Sequence, residues 1–271
     1  MPWLCALAVL VFGLAAEASE LHLEGALTQG GMVRGQVAPG SAVSLDGRAL
    51  RVAADGWFVF GFGRDATARA QLVVRTPDGR EERRALEVKK RSYRVQRING
   101  LAPREVTPSE EDLARIRADD ALIEAAKRRD TDGLGFEQAV AWPVRGRISG
   151  VYGSQRILNG EPRAPHRGLD IAAPPGTPVG AMASGVVSLA QPDMYFTGGT
   201  VMLDHGHGVH SVYVHLQDVL VEVGQELAQG AVLGTVGSTG RATGPHLHWG
   251  IYWFDQAVDP ALLVGPPDPL G

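Results

Sequence analysis

His166-Arg167-Gly168-Leu169-Asp170-Ile171 sets an imidazole and a carboxylate four residues apart. Four is an even number. On an extended strand both side chains then leave one face, while Leu169 and Ile171 leave the other, toward a core. His246-Leu247-His248 repeats the arrangement, with two imidazoles on one side and Leu247 opposite. Ser211-Val212-Tyr213-Val214-His215-Leu216 is a third alternating stretch. Alternation predicts that Ser211, Tyr213 and His215 share one face and Val212, Val214 and Leu216 the other. Three strands that turn metal-competent groups to one side and apolar groups to the other point to a β domain with a site on one face.

The surrounding sequence has the same character. From Trp142 to Asp259, Gly and Pro are dense and short β-branched runs recur, at 179–182, 185–189, 200–204, 210–216, 231–236 and 247–253. No helical periodicity interrupts them, so the expectation is a compact antiparallel β domain of about 120 residues. Seven of the eight histidines, all but His22, fall within this span, which makes it the place to look for chemistry. His205, His207 and His210 surround Gly206-His207-Gly208 and are read as hairpin residues.

Farther toward the N-terminus the pattern is again β. Between Leu21 and Val88, short apolar runs alternate with Pro39-Gly40, Asp46-Gly47, Asp55-Gly56 and Asp78-Gly79, which are turn signals. This predicts a small β-sandwich. It has no His/Asp/Glu cluster, so it is expected to be an accessory domain, and its ligand or partner is unassigned. A polar helical linker follows. Thr107 or Ser109 is the N-cap, acidic residues fill the first turn, and apolar positions from Leu113 to Ala126 recur at helical spacing up to Arg129. The predicted organisation is a leader at 1–18, an N-terminal β domain at 19–100, the linker at 101–135 and the site-bearing β domain at 136–271.

The leader, Met1 to Ala18, is an apolar run too short for a permanent membrane anchor. It ends in Ala16-Glu17-Ala18, a small-x-small cleavage pattern, so export to the periplasm or cell envelope is expected. The one cysteine, Cys5, lies inside it. A mature chain without cysteine has no disulfide, no cysteine nucleophile and no thiolate-bound zinc. The formal net charge of -4 gives no electrostatic case for a nucleic-acid partner. Short basic runs such as Arg83-Arg84 and Lys89-Lys90-Arg91 are read as solvated surface.

The histidines and Asp170 can be weighed as a metal site. Catalytic zinc takes three protein ligands and leaves a position for water. Two histidines and one carboxylate satisfy that count and leave the ion a residual positive charge. The helical motif His-Glu-x-x-His is absent, and no Glu lies near these histidines in sequence to act as a base. The histidines beyond the ligands must then supply proton transfer.

At these residues the chain resembles the LytM/lysostaphin-type zinc metallopeptidases, peptidoglycan hydrolases with a duplicated-hybrid-motif β fold. The resemblance covers about 142–262. It rests on Trp142-Pro143-Val144, Gly150-Val151-Tyr152-Gly153-Ser154, 166–173, Tyr213-Val214-His215-Leu216, 237–240, Gly244 to Trp249 and Val258-Asp259-Pro260. It implies that His166, Asp170 and His248 bind Zn2+ and that His215 and His246 are catalytic imidazoles. It also implies peptidoglycan stem peptides or crosslinks as substrate. The stretch 154–163 and the loop 193–199 look like those of Gram-negative members, which would make the substrate the D-alanyl–diaminopimelate crosslink. Some members have lost ligands and only activate cell-wall amidases; this chain departs at none of the five positions. Asn159, at its Gly160 turn, and Tyr195, on a Gly-flanked loop, are candidate substrate-binding residues on the rim, since loops held by a rigid scaffold carry specificity.

Overall fold

A computed structural model describes residues 21–100 and 108–265; the leader and Thr107 lie outside the described residues. The N-terminal part forms two antiparallel sheets. One holds β1 (His22–Gly25), β2 (Met32–Gln36) and β5 (Trp57–Gly61). The other holds β3 (Ala42–Leu45), β4 (Arg48–Leu50), β6 (Arg69–Arg75) and β7 (Glu81–Glu87), in the order β4-β3-β6-β7. In β6, Ala70, Leu72 and Val74 are buried while Arg69, Gln71 and Arg75 are exposed, the period-two pattern of a strand with one wet face. Leu72 and Val74 join Phe58 and Phe60 of the first sheet in one apolar core.

The next strand, β8 (Val95–Ile98), leaves these sheets. It pairs in parallel with β10 (Gln155–Leu158), which in turn pairs with β11 (Glu161–Pro162). The linker helix α1 (Glu110–Lys127) starts as its sequence demands. Ser109 Oγ accepts the Asp112 amide proton, the Asp112 carboxylate accepts the Ser109 amide proton, and Glu110, Glu111 and Asp112 face the positive end of the helix dipole. Only a narrow stripe of the helix is covered: Ile116 and Ala126 are buried, whereas Leu122 is exposed. Ala126 packs with Met194, Met202, Val212, Val214 and Tyr252. Asp119 accepts the Tyr195 amide proton at 2.7 Å, and Arg115 pairs with Asp193 at 2.8 Å. The helix thus lies along the C-terminal domain.

The remaining strands are β9 (Arg147–Gly150), β12 (Leu169–Ala172), β13 (Pro178–Gly180), β14 (Gly185–Met194), β15 (Gly198–Asp204), β16 (Val209–Val219), β17 (Glu226–Leu227), β18 (Val232–Val236), β19 (Leu247–Trp253) and β20 (Gln256–Val258). They build one antiparallel sheet in the order β17-β14-β15-β16-β19-β12-β9; β18 joins β16 to β13, and β20 flanks β19. The fold is therefore mainly β, with a large C-terminal sheet, smaller N-terminal sheets and one α-helix among the described residues. Leu169, Trp249 and Tyr213 stand opposite one another across β12, β19 and β16 and are buried on the core side. One residue along each strand, Asp170, His248 and Val214 form the matching row on the other side.

Arginines fasten the N-terminal sheets to this domain. Arg91 pairs with the buried Asp259 at 2.7 Å, Arg64 donates to the Gly153 carbonyl at 2.7 Å, and the Arg48 guanidinium lies 3.9 Å from the Phe254 ring centre. Arg91 belongs to a run read from sequence as solvated surface. Its role is instead an inter-domain ion pair, because the partner carboxylate is 168 residues away and invisible to a local reading.

The hairpin histidine His205 is wholly buried. Its Nδ1 is 2.7 Å from the Ser184 carbonyl and its Nε2 2.7 Å from Ser211 Oγ. Burial pushes its pKa down to about 4, with the nearby His210 adding to the effect against the pull of Ser184 and Asp204. The unfolded chain takes up this proton near the ordinary value of 6.5. Between these values the unfolded state binds more protons, so stability rises with pH. The contribution is complete above pH 6.5 and is lost as pH falls toward 4. The expected loss is roughly 3 kcal/mol. Urea unfolding at stepped pH checks it: His205→Asn should flatten this part of the profile relative to the native chain.

Candidate metal centre

The row Asp170–His248 is set by strand register. The two are direct partners on β12 and β19, and Asp170 Oδ1 lies 2.8 Å from His248 Nδ1. His166 precedes β12 and is not on a strand. Its backbone is tied to Ser154 and Gly153 by hydrogen bonds of 2.9 and 2.8 Å, and its Nδ1 lies 3.1 Å from the Val151 carbonyl. A carbonyl only accepts, so Nδ1 carries the proton and Nε2 presents its lone pair. That Nε2 is 2.9 Å from Asp170 Oδ1 and 2.8 Å from His248 Nδ1.

Two glycines make room for this convergence. A Cβ on Gly150, the β9 partner of Asp170, would lie 2.1 Å from Asp170 Oδ2. A Cβ on Gly168 would meet the Trp249 carbonyl oxygen at 2.3 Å.

The donor set fits a metal ion. His166 Nε2, Asp170 Oδ1 and His248 Nδ1 each offer one ligand atom. Two of them, His166 Nε2 and Asp170 Oδ1, are electron-pair donors only 2.9 Å apart. One proton on His248 Nδ1 cannot serve both acceptors well, whereas a cation serves all three atoms. Burial by itself raises the Asp170 carboxyl, but the His166 and His248 imidazoles more than reverse this and hold it well below the usual carboxylate range. Burial pushes His248 down to about 4, against the pull of Asp170. A neutral imidazole is the form that ligates.

The other two histidines of the resemblance stand beside this cluster. His246 Nε2 is 3.9 Å from Asp170 Oδ1, and its Nδ1 is 2.8 Å from the Gly244 carbonyl. The His215 ring centre lies 4.8 Å from that of His246 and 6.4 Å from that of His248, and its Nδ1 is 2.8 Å from the Thr239 carbonyl. Both are therefore held as the Nδ1–H tautomer, with Nε2 free to accept. Burial pushes His215 down to about 3, helped by His246 and His248.

His215 reaches this place differently from the expectation. Tyr213 faces the core, where its hydroxyl accepts the Met182 amide proton at 2.9 Å, and Leu216 is in the same core. Strict alternation would send His215 there too. Instead β16 bulges: Gly199 and Val201 of β15 oppose Leu216 and Tyr213, so two steps face three. His215 sits in the bulge with φ +63°. The left-handed backbone turns its ring to the Val214–His248 side.

Sequence reasoning missed Arg156. Its guanidinium on β10 donates to Asp170 Oδ2 at 3.0 Å, so it holds the carboxylate oxygen that faces away from the histidines. A single half-buried Arg in an alternating stretch carries no signal by itself. Asn159 lies exposed at the β10–β11 turn with φ +47°, and its amide donates to Ile98 at 2.8 Å. Tyr195 lies on the β14–β15 loop, edge-on to Phe196 at 4.9 Å. It is Phe196, with Leu113 and Ile116 of α1, that lines the cavity of about 570 Å³ reaching His166 and His248.

The comparisons agree with this geometry. The model of peptidase family M23 matches residues 164–260. Peptidoglycan DD-endopeptidase ShyA of Vibrio cholerae is 39% identical over 124 residues, 44% of this chain and 29% of ShyA. Murein hydrolase activator EnvC of Escherichia coli is 34% identical over 203 residues, 74% of this chain and 43% of EnvC. This chain thus spans less than half the length of either curated relative. A crystal structure of a putative peptidase M23 from Pseudomonas aeruginosa superposes with a TM-score of 0.67 at 34% identity, covering 88% of this chain and 95% of that one. With that likeness along nearly its whole length, the chain belongs to peptidase family M23.

Proposed function

We propose that this chain is a zinc metalloendopeptidase that hydrolyses peptide bonds in peptidoglycan stem peptides or crosslinks. The observation that carries the reading is the complete set of five groups. His166, Asp170 and His248 converge within 4.8 Å, with the His215 and His246 rings beside them. Zinc bound by His166, Asp170 and His248 would acidify water and polarise a carbonyl.

The protein's own groups do the rest. His246 Nε2 lies 3.9 Å from Asp170 Oδ1 and the His215 ring stands 4.8 Å from the His246 ring, so each imidazole can accept or return a proton beside the cluster. Their Nδ1–H bonds to the Thr239 and Gly244 carbonyls fix the tautomer that permits it. Burial keeps His215 unprotonated at neutral pH, so its lone pair is available there. Arg156 and Gly150 position Asp170 from behind. The apolar sheet face under Trp249 and Tyr213 keeps the strands in register.

Asn159 and Tyr195 are assigned to the rim of the substrate cleft. Tyr195→Ala should raise KM on crosslinked muropeptides about 3–10-fold, a typical loss for one aromatic contact, with zinc content unchanged. Steady-state kinetics that match the native chain would remove Tyr195 from the rim. Export to the periplasm or envelope follows from the leader and suits a wall substrate. Among the described residues no helix is long and apolar enough to cross a membrane.

A catalytically silent scaffold is the second reading, favoured by the long match to a hydrolase activator. Mass spectrometry of crosslinked wall digested by the purified chain separates the two. New free amines at crosslinks support the peptidase. Zinc binding with an unchanged digest, together with stimulation of an added amidase, supports the scaffold.

A further inference from the structure

His205, His207 and His210 surround the turn between β15 and β16, and the metal centre uses none of them. All three are buried. Across this turn runs the stretch 129–136, which leads from the end of α1 into the C-terminal domain.

The stretch is gripped from both sides. On the turn side, the Thr131 carbonyl accepts the His207 amide proton at 2.9 Å, and the His205 carbonyl accepts that of Phe136 at 3.2 Å. The Phe136 and His207 ring centres are 4.4 Å apart. Asp204 accepts from Thr131 Oγ1 at 3.1 Å and pairs with Arg129 at 3.3 Å. The two backbones touch, so that a Cβ on Gly206 would run into the Gly133 carbonyl oxygen. On the other side, Arg51, which follows β4 of the N-terminal part, pairs with both Asp130 and Asp132.

Two of the histidines have room for one proton only. His210 Nε2 lies 3.2 Å from the Arg129 carbonyl and therefore carries its proton. Its Nδ1 is buried with no hydrogen-bond partner among the described residues, and so is Nδ1 of His207. A second proton on either ring would be a buried N–H donor without an acceptor. Water would accept it once the stretch lifted away. Burial is also the first cause that holds both imidazoles below their ordinary value. The charges around them oppose one another. His210 faces Asp204 and Arg129, with the Lys127 and Arg129 carbonyls above it, His205 nearby and Tyr252 as its partner on β19. His207 faces Arg51, Asp130 and Asp132.

We infer that His207 and His210 form an acid-sensitive clasp on the stretch 129–136, one that releases the linker while the sheets on either side stay folded. His205 is not part of the release, since Ser184 and Ser211 of the C-terminal domain hold its ring. The released state takes up protons near the ordinary value of 6.5 and the clasped state resists them. The clasp is therefore at full strength above pH 6.5 and weakens as pH falls below it. Between about pH 7.5 and about pH 5.5, each such histidine favours release by up to about 10-fold. The lower pH is still above the ordinary carboxylate range.

The test is native-state hydrogen exchange of the full chain at these two pH values, corrected for the intrinsic exchange rate. The His207 and Phe136 amide protons cross the clasp and report on it; the ladder around Val201 and Tyr213 is the control. At the lower pH the two reporters should lose about 10-fold or more of their protection, and the control less than about 2-fold. His207→Asn removes one titrating ring and suits the left-handed backbone there, φ +51°. With His210→Gln added, the loss at the Phe136 amide should shrink to about 3-fold or less. Reporters equally protected at both pH values overturn the clasp. So does a control that loses protection together with them, which is unfolding of the whole domain, and so does a double variant that keeps the native loss. If the double variant does not fold, His207→Asn alone is read: a smaller loss than in the native chain supports the clasp, and an equal loss overturns it.

Discussion

His215→Ala and His246→Ala are each expected to keep full zinc content and to lose about two to four orders of magnitude in turnover, the range that general acid–base help contributes. Neither imidazole belongs to the three converging ligand atoms, so the metal has no reason to leave. Both stand beside the cluster with Nδ1 committed to a carbonyl, which leaves Nε2 for proton transfer. Among the described residues, no Glu or Asp other than Asp170 lines the cavity at His246 or the one at His248. His215 is the more demanding case, because its φ of +63° is a strained position that the bulge maintains. His215→Gly therefore makes a useful control: it relieves the backbone while deleting the ring, and should be at least as stable as His215→Ala and equally inactive. Elemental analysis, melting temperature and turnover on crosslinked muropeptides, measured in parallel, separate a catalyst from a structural residue. Near-full turnover in either Ala variant removes that histidine from the mechanism.

Asp170→Ala should remove the metal and also weaken the fold, whereas His248→Ala should mainly remove the metal. Asp170 is the hub: His166, His248 and Arg156 all bond to it. Without it zinc affinity should fall at least about 100-fold. The Arg156 guanidinium would also lose its only ion-pair partner among the described residues. Breaking a buried pair from one side costs about 3 kcal/mol or more, and the partial exposure of Arg156 puts this case at the low end. Asp170→Asn keeps the shape and isolates the charge. It too should lose the metal, with a smaller fall in melting temperature. Stoichiometric zinc in Asp170→Ala or His248→Ala, measured after dialysis against metal-free buffer, would contradict the ligand set.

Period-two patterning made much of the fold legible. It revealed β16 and β19 and the opposition of Leu247 to His246 and His248, because one face of each strand is apolar and the sequence shows it. The helix start was legible because capping is local: Ser109 was one of two N-cap choices, and the Asp112 bonds that complete its capping box came from the structure. Other features were not, each for a physical reason. The bulge at His215 breaks the alternation without leaving a mark in residue type, so the sequence put His215 on the Tyr213 face while the structure turns it to the other. His166 was placed on a strand, but a turn of chain near Gly153 and Ser154 carries it into the cluster. Arg156, the parallel pairing of β8 with β10, and the Arg91–Asp259 pair all join residues far apart in the chain. Single-sequence reasoning sees the residue types but not the approach.

The account stands or falls on whether metal in the His166–Asp170–His248 cluster is coupled to hydrolysis. The most direct measurement is a zinc titration of chelator-stripped protein, with cleavage of crosslinked muropeptides followed by mass spectrometry at each addition. The expected result is no cleavage in the stripped protein and a rise that saturates at one zinc per chain. Full cleavage by the stripped protein, or uptake of one zinc with the crosslinks left whole, would contradict it.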